Sequence, residues 1–83
     1  MLDKYFDELI MAEIVKGREA KGWSIRELGR RTGIPKSTLI AYESFRNSIP
    51  FSTFKEVCAV LDLDYIEVFE RCNEEFIRHE RSS

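Results

Sequence analysis

Apolar positions recur at helical spacing along the chain, and no stretch alternates polar and apolar residues with the period of two expected of a strand. Leu2, Phe6, Leu9 or Ile10, and Ile14 mark one face of a first helix over residues 3–21, which Gly22 ends. Gly17, inside it, weakens that helix by about 1 kcal/mol relative to alanine. Ser24 then starts a second helix, with Glu27 three residues on completing a capping box. Pro35 suits the first position of a third helix, where its missing N–H leaves no bond unmade. After a loop from Ser44 to Pro50, a fourth helix over about residues 52–61 turns Phe54, Val57, Cys58 and Leu61 inward. Asp64 and Glu67 form another cap pair. They begin a fifth helix whose Ile66, Phe69, Cys72 or Asn73, and Phe76 positions continue toward residue 80. The pattern predicts an all-α fold of five helices, in one domain over residues 1–83.

The stretch from Ser24 to Glu43 carries the most specific signal. Its apolar residues fall only where two crossed helices would touch: Leu28 on the first, and Ile34, Leu39 and Tyr42 on or beside the second. Gly29 is small where the partner element must come close, and Gly33 stands where the chain must turn sharply, at a position suited to φ > 0. This is a helix-turn-helix pattern, whose second helix is normally presented to the DNA major groove.

Composition and charge refine this picture. At 83 residues, with 43% hydrophobic residues, the chain can bury one small core and is well away from disordered compositions. No apolar run approaches the roughly 18 residues needed to span a membrane. Asp3, Asp7 and Glu8 stand where a signal peptide would be basic and then apolar, so a cytoplasmic protein is expected. The net charge of −2 hides an asymmetry. Residues 14–50 hold eight basic against three acidic residues, while residues 1–13 are net −3 and residues 51–83 net −4. A basic middle between acidic ends fits one DNA-facing side.

Other chemistry is sparse. Cys58 and Cys72 read as reduced, structural thiols, and His79, the only histidine, as a solvated side chain. No Cys/His spacing suits zinc, and there is no nucleophile–base pairing or phosphate-binding glycine loop. Neither an enzyme nor a cofactor is expected.

The ordered set Arg18-Glu-Ala-Lys-Gly22, Ser24, Glu27-Leu28-Gly29, Thr32-Gly33-Ile34, Ser37-Thr38-Leu39, Tyr42-Glu43, the Pro50 loop, Val57-Cys-Ala-Val-Leu61 and Asp64-Tyr-Ile-Glu67 resembles the lambda-repressor-like, or XRE, helix-turn-helix family. The resemblance covers about residues 14–69 and leaves residues 70–83 as a C-terminal extension. It implies a five-helix repressor-type fold that binds double-stranded DNA, usually as a homodimer on a near-palindromic operator. A protein antagonist would be a further partner of such a regulator. The resemblance also assigns Arg18 and Glu43 to an ion pair between the first helix and the end of the third.

On this reading Lys36 and Ser37, at the start of the third helix, reach base edges, although Lys36 suits a phosphate equally well. Ile40 and Ala41, one turn on, are expected on the outward side, where they could meet a thymine methyl or a protein. Ser24 and Arg26, and Arg46 and Asn47 in the following loop, are placed for phosphate contacts. Arg30 and Arg31 read as a solvated helix face. Two departures favour an alternative: a protein-interaction module on this scaffold with weakened operator binding. Ile25 replaces a phosphate-clamping glutamine, and Phe45 replaces a loop glycine near the apolar Ile49 and Phe51. The fifth helix, about 25 Å long over residues 64–80, could pack back on Leu2, Phe6 and Ile10. It could instead form a dimer interface or lead into a further domain.

Overall fold

Local chemistry sets the boundaries of five helices. The computed structural model describes residues 4–82. They form α1 (Lys4–Ala20), α2 (Ile25–Thr32), α3 (Lys36–Glu43), α4 (Phe51–Val60) and α5 (Tyr65–Ser82), with no strand among the described residues. Each boundary lies close to the one read from the pattern. Ser24 caps α2, its Oγ accepting the Glu27 N–H at 3.1 Å. Gly33, at φ 79°, closes the same helix by donating its N–H to the Gly29 carbonyl at 2.8 Å. At α5, Asp64 Oδ1 accepts from the Ile66 and Glu67 N–H groups at 2.9 and 3.4 Å.

The core forms where these helices cross. Phe6, Ile10, Met11 and Ile14 of α1 are buried with Leu28, Leu39 and Tyr42 of the central pair and with Phe54, Val57, Cys58 and Leu61. Met11 widens the α1 face beyond the expected stripe because α1 packs against both α3 and α5. Leu2 lies outside the described residues. Both interior helical glycines are small for packing reasons. A Cβ on Gly17 would lie 2.9 Å from a Leu63 methyl, and one on Gly29 would lie 2.9 Å from the Ile34 carbonyl oxygen.

α5 packs back on α1 by part of the expected face: Cys72 and Phe76 turn inward as read, but Val68 takes the inward place expected of Ile66 and Phe69. Val68 and Cys72 are buried, whereas Ile66 is 50% and Phe69 37% exposed. The neighbouring α4 surface carries Val57 and Cys58, small enough for close approach, so the smaller α5 residues take the centre. Phe69 is left at the rim, edge-on to Phe6 at 5.4 Å and to Phe51 at 6.4 Å between ring centres. Farther along, Phe76 meets Phe6 at 5.7 Å, and exposed His79 lies against Tyr5 at 4.2 Å.

A two-point ion pair joins α1 to the end of α3. Arg18 Nε and Nη2 donate to the Glu43 carboxylate at 3.2 and 3.3 Å, while Nη1 donates to the Trp23 carbonyl at 2.9 Å. Both side chains are nearly covered, at 12% and 13% exposure, so the pair is a structural tie that also sets where α3 ends.

Candidate nucleic-acid interface

Burial along α3 defines a narrow outward stripe. Leu39 and Tyr42 hold the helix to the core, which leaves Lys36, Ser37 and Ile40 exposed on the opposite side. Ala41 departs from the expectation: it is only 7% exposed and does not share the outward face with Ile40. The following loop folds back over it, the N–H groups of Arg46 and Asn47 both donating to the Ala41 carbonyl at 2.9 and 3.2 Å. Ser44 continues the stripe instead. It is exposed and accepts from Arg46 Nε at 3.2 Å. The 37–40–44 spacing at three and seven residues is the signal for it, although Ser44 lies just beyond the end of α3.

Ser24 and Arg26 are exposed at the start of α2, and Arg46 and Asn47 are exposed in the loop beyond α3. Ile25, at the position of the missing glutamine, is partly buried against the core. Phe45 adopts the left-handed backbone conformation at φ 64° and remains 45% exposed, while Ile49 packs inward.

The basic residues divide into two groups. Lys16 pairs with Glu13, Arg18 with Glu43, Lys21 with Asp62, and Arg30 and Arg31 both with Glu27. Arg31 also lies 4.1 Å over the Trp23 ring. Among the described residues Arg26, Lys36 and Arg46 have no acidic partner. The uncompensated cations of the basic middle therefore stand at the start of α2, at the start of α3 and in the loop after it.

Glu27 does not complete the capping box. Its Oε1 accepts from Arg30 Nε at 3.1 Å, and its Oε2 from Arg31 Nε at 2.6 Å and from Arg30 Nη2. Hydrogen bonds from Arg30 first, and from Arg31 second, hold this carboxyl well below its ordinary range, at about 2. The Ser24 N–H is left without an acceptor among the described residues.

A separate apolar groove of about 300 Å³ lies between other elements: α1, the loop before α4, and α5, lined mainly by Phe6, Ile10, Ile49, Phe51, Phe54 and Phe69. Phe51 is 55% exposed at its edge. The Cys58 and Cys72 thiols are buried and pushed up to about 11, chiefly by burial, which disfavours the reactive thiolate. Among the described residues no cluster of His, Cys, Asp or Glu is arranged to hold a metal, and no helix is long and apolar enough to cross a membrane.

Comparison with known proteins adds one match. The family model described as helix-turn-helix matches residues 14–68, spanning α2, α3 and α4 together with parts of α1 and α5. No curated protein and no solved structure matches the chain.

Proposed function

The chain belongs to the helix-turn-helix family in its lambda-repressor-like, or XRE, form, a family of DNA-binding regulators rather than enzymes, and from that premise we propose that it is a sequence-specific transcriptional repressor. The observation that carries this reading is that the basic middle leaves Arg26, Lys36 and Arg46 exposed without an acidic partner at the start of α2, the start of α3 and the loop after it. α3 enters the major groove, where Lys36 and Ser37 meet base edges and Ile40 meets a thymine methyl. The free N–H groups at the start of α2, with Ser24 and Arg26, contact one backbone, and Arg46 and Asn47 the other. Ala41, being buried, supports the loop that carries Arg46 and Asn47 and has no part in the contact.

Two copies would bind a near-palindromic operator with half-sites about 34 Å apart, and the dimer would occlude a promoter. Phe51, Ile66 and Phe69 supply an exposed apolar surface suited to joining the copies. Three free cations per protomer correspond to a salt slope of roughly −3, or about −5 for a dimer, at about 0.9 per phosphate neutralised.

The same apolar surface, with the exposed Phe45, favours a second reading: a protein-interaction module on this scaffold, or a regulator held by a protein antagonist. Selection of bound duplexes from a random library at two salt concentrations separates the readings. Enrichment of a two-fold-related motif supports the repressor. Binding that occurs only at low salt, without enrichment, supports the interaction module.

A further inference from the structure

α2 begins with an apparent contradiction. On the DNA-binding reading its N-terminus faces a backbone phosphate, yet Glu27 places a carboxylate in its first turn. An acid there would normally reach back to the N-cap N–H. In that position it would occupy the donor and put a negative charge beside the phosphate. The fold avoids this by drawing the carboxylate toward the helix C-terminus, onto Arg30 and Arg31, three and four residues on.

We propose that Arg30 and Arg31 are positioning residues for DNA binding: they hold the Glu27 carboxylate away from the start of α2 and so keep the Ser24 N–H open to a phosphate. This inference rests on the DNA-binding reading above. The geometry favours it over direct phosphate contact by the two arginines. Both Nε atoms are already bonded to Glu27, and the Arg31 guanidinium also covers the Trp23 ring. Arg26 and Lys36 carry no such commitments, and Arg46 bonds only the neutral Ser44 hydroxyl. Two arginines sharing one carboxylate can hold it even when one is transiently solvated, which a single exposed pair would do poorly.

Four proteins test this in duplex-binding titrations over a range of salt: wild type, R30Q/R31Q, E27A and the triple variant R30Q/R31Q/E27A. R30Q/R31Q should bind about tenfold more weakly, the scale of a misplaced charge at a helix N-terminus. Adding E27A, which removes the side-chain acceptor, should restore binding to within about threefold of wild type, with a similar salt slope in every variant. Amide hydrogen exchange gives a readout without DNA. The Ser24 N–H should be open in wild type, protected in R30Q/R31Q as Glu27 swings back, and open again in the triple variant.

A salt slope shallower by about two units in R30Q/R31Q, with no recovery on adding E27A, would show direct phosphate contacts and overturn the inference. Wild-type affinity in R30Q/R31Q, or an unchanged Ser24 exchange rate, would overturn it too. In each of those cases the DNA-binding reading survives. No binding by wild type at low salt would remove that reading and the inference with it.

Discussion

The α2–α3 side and the α4–α5 side of this molecule are built on opposite principles. On the first, exposed residues are polar or cationic apart from Ile40, and the cations left unpaired stand at the helix starts and in the loop after α3. On the second, the exposed residues include Phe51, Ile66 and Phe69 within a surrounding excess of acids. Both sides rest on the same core, so the difference lies in what each leaves uncovered. A cationic surface gains from a polyanion, whereas an apolar one gains from exclusion of water, and a domain this small has room for little else.

The tie between α1 and α3 is where this division can be damaged most. Glu43→Ala leaves the nearly covered Arg18 guanidinium with the Trp23 carbonyl as its remaining contact. It should destabilise the fold by about 3 kcal/mol, measured as a lower urea midpoint with an unchanged slope. A loss below about 1 kcal/mol would mean that water replaces Glu43 without penalty.

Two substitutions should separate the sides. Lys36→Ala is expected to weaken operator binding by about 1–3 kcal/mol if the lysine reads a base, with self-association unchanged in sedimentation velocity. An equal loss on every duplex would assign it to phosphate instead. Ile66→Asp places a charge on a half-exposed apolar position and should weaken self-association by about 1–2 kcal/mol. Monomer stability should hold within about 0.5 kcal/mol. If Ile66→Asp left self-association intact, the dimer surface would have to be sought elsewhere.

Smaller effects refine the boundary. Phe45 occupies a left-handed conformation that costs a non-glycine residue about 1–2 kcal/mol. Phe45→Gly should therefore raise stability by about 0.5–1 kcal/mol, after lost packing and added unfolded-state freedom. A lower thermal midpoint would instead show that the half-exposed ring packs usefully. The Glu27 clamp should be fully formed at neutral pH and weaken only in acid. Its carboxyl is lowered in the folded state to about 2, so its contribution is complete above the ordinary carboxylate value of 4.5 and is lost as pH falls toward 2. A carboxyl-carbon titration by NMR with a midpoint near 4.5 would rule the clamp out.

Features that depend on neighbours a few residues apart were legible in the chain. Ser24, Gly33 and Asp64 cap their helices as residue type and spacing predict, and the α4 face of Phe54, Val57, Cys58 and Leu61 is buried as read. The Arg18–Glu43 tie was legible by resemblance. Features that depend on which of several similar faces turns inward were not. Ile66 and Phe69 kept helical spacing yet lost the centre of the contact to Val68, while Cys72 is buried as read, and Ala41 was covered by a loop whose path no local pattern gives away. At Glu27 the spacing allowed both a capping box and a pair of arginine bonds, and the latter formed.

The sequence alone thus determined the five helices, their caps and the family, because propensity, capping and turn chemistry act between residues close along the chain. Only the tertiary structure decided which similar faces turn inward and which charges far apart along the chain are paired. Lys21 meets Asp62 across 41 residues and Arg18 meets Glu43 across 25, and such pairing is set by how helices pack, since Coulomb attraction depends on distance in space and not along the chain.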